Sequence, residues 1–211
     1  MATRLTPQGP LPSELCRRGL YRRVEAWTPD THSAALNVEE KSWCLFALYF
    51  TGKFMEAEHF LATWFSSSWD AFPSAHVFFA RSVSEVRSGD LSQARKNWIQ
   101  VFRTLKGRSE PFFTSLGWYY QTQAFFCVQK SRWSAAEKWA SRAVACSFES
   151  RDLLLRSIAS DMQAHASVKM GHYGSALRFA RNAQNCAKTL GNTSIQNAVR
   201  VSVACWEAER G

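Results

Sequence analysis

The sequence predicts an all-α fold built from antiparallel helix hairpins that pack side by side. Its 211 residues include only 6 Pro and 10 Gly, too few for the many turns of an all-β fold. Apolar residues make up 46% of the chain, so a packed core is expected rather than a disordered segment. A short motif also recurs at similar intervals, which is typical of a protein made of repeated structural units.

The recurring motif begins with Gly or another small residue. An aromatic residue or Leu follows two positions later, and a small residue three positions after that. Its anchors are Gly52, Gly89, Ser131 and Gly171, and a weaker copy begins at Gly19, with Val24 in place of the small residue. From Gly19 onward the anchors are separated by 33, 37, 42 and 40 residues. A Gly after a helix can adopt the left-handed conformation that ends it. The small residue lets two helix backbones approach closely, so each anchor predicts the bend of a hairpin.

The helix boundaries follow from these anchors and from the breaks between them. An N-terminal extension with a leading helix is predicted over 1–33, and a repeat domain of four hairpins and a final single helix over 34–211. The leading helix covers 13–27. The predicted hairpins pair 34–50 with 54–66, 74–88 with 91–106, 110–129 with 133–147, and 150–170 with 173–189, and the last helix covers 193–209.

The second helix of the later hairpins carries small residues at a regular spacing. They are Ala136, Ala140 and Ala143 in one copy and Ala176, Ala180 and Ala183 in the next. With the Gly and aromatic positions, they resemble the tetratricopeptide repeat (TPR) family, in its long-helix variety seen in bacterial regulators and scaffolds. The period of about 40 exceeds the family's usual length of about 34, and the Pro that often closes the repeat is mostly missing.

The resemblance implies a right-handed superhelical stack, an α-solenoid, whose first helices (A helices) line a concave binding face. Spacings of three or four residues from the anchors indicate which side chains point there. The predicted partner-binding residues are Phe46 on the first A helix; His76, Phe79 and Arg87 on the second; Trp118, Gln121, Phe125 and Gln129 on the third; and Asp161, His165 and Lys169 on the fourth. The alternative for Phe79 and Phe125 is packing between neighbouring A helices.

The composition restricts the cellular compartment and the class of binding partner. With 26 Lys and Arg against 17 Asp and Glu, the net charge is +9, which suits an acidic partner, a nucleic acid or an anionic membrane. The basic residues are dispersed, so a solvated outer face would explain them equally well. No apolar stretch reaches the roughly 18 residues of a membrane span. The six cysteines form no C-x-x-C pair, which indicates reduced thiols and predicts a cytoplasmic protein.

No motif of nucleotide binding, zinc proteolysis or serine hydrolysis occurs in the chain, so we predict neither an enzyme nor a cofactor. Asp161 and His165 lie one helical turn apart and could in principle share a proton or a metal ion. A hydrogen-bonded His on a helix face is the more common arrangement, so no metal site is predicted.

We therefore expect a scaffold or regulatory module that binds a peptide or a partner protein, as the N-terminal part of a larger protein. The final helix has no second helix after it within the sequence, and self-association through that edge is an alternative. Two other functions stay open. One is nucleic-acid binding, suggested by the basic charge and nine Trp. The other is ligand sensing within a transcriptional regulator.

Overall fold

The computed structural model describes residues 10–24, 27, 36–65, 75–89, 92, 96 and 112–210. These residues contain ten α-helices and no strand, which confirms the predicted all-α class. The helices are α1 Pro12–Arg17, α2 Tyr21–Val24, α3 Val38–Phe50, α4 Phe54–Phe65, α5 Ala75–Arg87, α6 Phe112–Gln129, α7 Trp133–Glu149, α8 Leu153–Lys169, α9 Tyr173–Thr189 and α10 Thr193–Arg210. Of the predicted helix over 91–106, only residues 92 and 96 lie within the described residues.

All five anchors lie at bends, as the motif predicts. Their φ angles are positive, at 73° for Gly19, 84° for Gly52, 91° for Gly89, 53° for Ser131 and 78° for Gly171. The following N–H groups close the helix ends, since Arg132 donates to the Cys127 carbonyl at 2.9 Å and His172 to the Ser167 carbonyl at 2.9 Å. Each of these bonds joins an N–H to the carbonyl five residues earlier. This is the Schellman arrangement, which satisfies carbonyls at a helix terminus.

Three predicted boundaries are wrong. The helix predicted over 34–50 starts at Val38, because the Asn37 side chain accepts from the Glu40 N–H and caps it. The leading helix over 13–27 is not continuous, because α1 ends at Arg17 and Gly19 turns the chain before α2 begins. The helix predicted over 150–170 starts at Leu153, because Arg151 takes a positive φ of 55° and Asp152 caps the helix. An Asp side chain that accepts a first-turn N–H fixes a helix start.

The chain forms two compact units, Met1–Gln100 and Val101–Gly211. In the first unit, α3 is central and contacts α1, α2, α4 and α5. Trp43, Phe46 and Tyr49 of α3 are at most 4% exposed. The N-terminus of α1 is tied to α3, since Glu40 accepts from the Ser13 N–H at 2.8 Å and from its hydroxyl at 2.6 Å.

A polar network joins α3, α4 and α5. Arg81 Nε lies 2.9 Å from Glu58 Oε1 and 3.2 Å from Glu85 Oε1. The Tyr49 hydroxyl donates to the same Glu58 carboxylate at 2.5 Å. The Glu85 side chain is only 4% exposed, so Arg81 provides the positive charge that compensates a buried carboxylate.

In the second unit, each helix packs against the next along the chain, and α6 also contacts α8, which in turn contacts α10. The 40-residue period recurs in the packing. Residues 131–150 and 171–190 share one pattern of buried and exposed positions, with a single difference. The small residues of α7 and α9 are at most 2% exposed. They allow Ser157 of α8 to donate a 2.8 Å hydrogen bond to the Ala183 carbonyl of α9.

Helix starts repeat in the same register. Asp152 accepts from the Leu155 N–H at 3.0 Å, and Asn192 accepts from the Ile195 N–H at 3.0 Å. Both are N-caps, and they lie one 40-residue period apart.

None of the described helices combines the length and the apolar character needed to cross a bilayer.

Candidate binding surface

The predicted binding residues of the first unit belong mainly to its core. Phe46, His76 and Phe79 are 0%, 4% and 3% exposed. The His76 ring stacks on Trp43 with 3.9 Å between centroids. Burial, together with the charge of Arg17, lowers the pKa of His76 to about 3, so the ring is neutral at physiological pH. These three side chains stabilise the unit and are not accessible to a partner.

A neighbouring helix explains part of this burial. Tyr21 of α2 lies against α3, with its ring centroid 6.0 Å from that of Phe46 and 5.0 Å from that of Phe50. Arg87 differs from the other predicted residues of this unit because it is exposed. Its guanidinium lies 5.9 Å from the Phe50 ring centre.

The second unit divides its predicted residues between core and surface. Trp118 and Gln121 of α6 are completely buried, Phe125 is partly exposed and Gln129 is exposed. The Trp118 indole N–H donates to Asp152 Oδ2 at 3.1 Å, while Oδ1 of the same carboxylate caps α8. Trp118 therefore couples the first helix of one hairpin to the start of the next hairpin.

On α8, the predicted residues lie where the helix is accessible. After its first turn, α8 is buried except for one stripe along its length. This α8 stripe consists of Ile158, Asp161, Met162, His165 and Lys169. Their spacings of three and four residues place them on one side of the helix. The structure thus brings together the three residues predicted on this helix and adds two apolar ones that the sequence analysis did not select.

Among the described residues of the second unit, two polar side chains have buried atoms without hydrogen bonds, as several side chains of the first unit also do. Both amide atoms of Gln121, Nε2 and Oε1, lack a partner within the described structure, and so does Oδ1 of Asp161. Asp161 retains some exposed surface, but this oxygen has none. Burial raises the pKa of Asp161 from 3.8 to about 6. Buried polar atoms without partners are rare in folded proteins and often mark functional positions.

Gln121 and Asp161 occupy equivalent positions one period apart, on helices that contact each other. The structure records no hydrogen bond or ion pair between Asp161 and His165. The edge of the His165 ring instead faces Trp133, at a centroid distance of 5.8 Å. Within the described ranges, no three His, Cys, Asp or Glu side chains cluster closely enough to hold a metal ion.

A second surface feature, missed by the sequence analysis, joins α6 and α7. Tyr119, Tyr120 and Trp139 form an aromatic cluster with centroid distances of 5.5 to 6.5 Å. The exposed Arg142 guanidinium lies 4.7 Å from the Trp139 ring centre. Spacing alone could have revealed it, because Trp139 and Arg142 are three residues apart on one helix.

No protein-family model matches the chain, and no curated protein is significantly similar to it. The resemblance to tetratricopeptide repeats therefore depends on the residues and packing described above.

Proposed function

We propose that the second unit is a protein-interaction module of tetratricopeptide type, with its hairpins stacked as a solenoid. A peptide or partner protein would bind on the side formed by the A helices α6, α8 and α10. The main support is the α8 stripe, which carries a buried acceptor without a partner on the one accessible side of an otherwise buried helix.

The helix packing favours this face over the others. Contacts from α6 to α8 and from α8 to α10 support a side-by-side arrangement of the A helices, and α7 and α9 would form the other layer of the proposed stack. Neighbouring A helices would then present a continuous surface. The stripe combines apolar side chains, Ile158 and Met162, with polar ones, as protein interfaces do.

Position-specific photo-crosslinking would test the proposal. A random short-peptide library is selected on the immobilised full chain, and the recovered peptides are crosslinked to variants carrying benzoylphenylalanine at one position. The test position is Lys169, at the end of the α8 stripe, and the matched control is Lys138, an equally exposed lysine on α7. We expect crosslinks at 169 and none at 138. Equal labelling at both positions, or no recovered peptide, would refute the proposal.

Nucleic-acid binding is the second candidate, favoured by the charge of the other layer. The exposed side chains of α7 and α9 include Lys138, Arg142, Arg178, Arg181 and Lys188, and α9 contains no acidic residue. The Arg142 cluster adds aromatic rings on which bases could stack.

Fluorescence anisotropy with labelled single-stranded DNA and RNA separates this function from the first. Binding through these cations would weaken by at least about tenfold between roughly 50 and 200 mM salt. The variant Arg178→Gln with Arg181→Gln should bind more weakly than wild type. The absence of binding at low salt would eliminate this candidate.

A further inference from the structure

We propose that Asp161 receives a positively charged side chain, lysine or arginine, from the bound partner. This inference rests on the function proposed above and specifies the chemistry of the same surface. The carboxylate of Asp161 would supply the negative charge.

The Asp161 carboxyl group has an unused hydrogen-bond acceptor. Its Oδ1 is buried and accepts no hydrogen bond within the described structure. A carboxylate withdrawn from water without a partner is strongly unfavourable, and proteins normally pair such groups. A partner that donates hydrogen bonds to Oδ1 would remove this cost when it binds.

No counter-charge pairs with Asp161 among the residues that the structure describes. Helix α6 carries no charged residue along its length, and Asp161 takes part in none of the ion pairs of the described residues. Burial alone accounts for the raised pKa, whereas a nearby cation would lower it. On α8 itself, Arg156 donates to Ser147 of α7, and Lys169 is eight residues along, about 12 Å by helix rise. The described part of the chain therefore supplies no counter-charge, and a bound partner could supply it.

The surroundings favour a long basic side chain over a small ion. Ile158 and Met162 flank Asp161 on the stripe and are partly exposed. Lysine and arginine have aliphatic stems that pack on such apolar surface while the charged end reaches a carboxylate. A metal ion would need further anionic or imidazole ligands, and the described residues offer no cluster of three.

Peptide selection with a matched pair of variants tests this inference. The short-peptide library is selected on wild-type chain after depletion on Asp161→Asn, which keeps the shape of the side chain and removes its charge. Glu149→Gln is the control, because it makes the same chemical change at an exposed site on α7. Recovered peptides are synthesised in two forms, with the basic residue or with a neutral isostere, citrulline for arginine and norleucine for lysine.

We expect the recovered peptides to share a lysine or arginine at one position. Asp161→Asn and the neutral isostere should each weaken binding by at least about tenfold, and together by little more than either alone, because both remove one charge pair. Glu149→Gln should leave the affinity unchanged. Peptides that crosslink at position 169 but tolerate Asp161→Asn overturn this inference and leave the proposed function standing. Failure to recover any peptide overturns both.

Discussion

Asp161→Asn should stabilise the second unit at neutral pH and leave it almost unchanged in acid. Because burial raises the folded-state pKa of Asp161 from 3.8 to about 6, the native state binds its proton more tightly than the unfolded state. The contribution of Asp161 to the free energy of unfolding is therefore fully favourable below the pKa that this group has in the unfolded state. This contribution is lost as the pH rises through the folded-state pKa, where the buried carboxyl group must ionise. Asparagine is neutral at every pH and avoids this loss.

The size of the effect follows from the two pKa values. They differ by about 2.2 pH units, which corresponds to roughly 3 kcal/mol at 1.36 kcal/mol per unit. The difference in unfolding free energy between Asp161→Asn and wild type should rise from near zero at about pH 4 to roughly 3 kcal/mol at about pH 7. Urea unfolding across this range measures it, and native-state hydrogen exchange of the α8 amides assigns it to the second unit.

The control for this measurement is Glu149→Gln, whose exposed side chain should change stability by less than about 0.5 kcal/mol at any pH. A flat pH dependence of the difference for Asp161→Asn would show that the carboxyl group is solvated or paired in solution, and the reasoning would fail. A gain in stability together with a loss of binding is the signature of a residue kept for function at the expense of stability.

Three further predictions concern the framework and are measured by urea unfolding followed by circular dichroism. Gly117→Ala should destabilise the second unit by about 1 to 3 kcal/mol, because its Cβ would lie 2.5 Å from a buried methyl group of α8. Gly174→Ala is the contrasting variant. Its Cβ would enter open space, so it should stabilise the unit by up to about 1 kcal/mol. Arg81→Met should cost the first unit about 3 kcal/mol by leaving carboxylates without their cation. Asp152→Ala should cost about 2 kcal/mol, since it removes both a helix cap and the acceptor of the Trp118 indole.

Each of these has a clear contrary result. Equal effects at the two glycines would mean that α6 does not approach α7 and α8 as closely as described. A loss below about 1 kcal/mol for Arg81→Met would mean that the network contributes no more than an ordinary surface ion pair. The exposed pair of Arg18 and Glu14 is an example of such a pair. Asp152→Ala and Asp152→Asn should differ, because the amide keeps an oxygen that can cap α8.

The hairpin bends and the later helices could be predicted because their signals are local. A Gly or Ser followed by an aromatic residue fixes the bend at Ser131 and Gly171, and α9 was predicted at its observed limits. The start of α8 was missed by three residues although its signal is also local. Asp152 is a good N-cap, so the helix begins at Leu153 rather than at 150.

The burial of the first unit's candidates could not be predicted by spacing. A period of three to four residues shows which side chains share a face, but not whether another element covers that face. The repeat pattern predicts that Phe46 points toward the binding face, but Tyr21 of the short α2 packs against it. For Asp161 the sequence indicated the position, whereas its desolvation depends on how closely α8 is enclosed by its neighbours.

The matching bends at Ser131 and Gly171 imply that this protein can change length in whole modules. Excising 133–172 would join Arg132 directly to Tyr173, so that an aromatic residue again follows the bend and α9 would replace α7 in pairing with α6. Duplicating the same 40 residues would add one more copy of the α8 stripe, including a second Asp161. Shortened and lengthened chains of this kind should fold, since each junction repeats an existing contact. The number of basic side chains a ligand engages would then be set by counting modules.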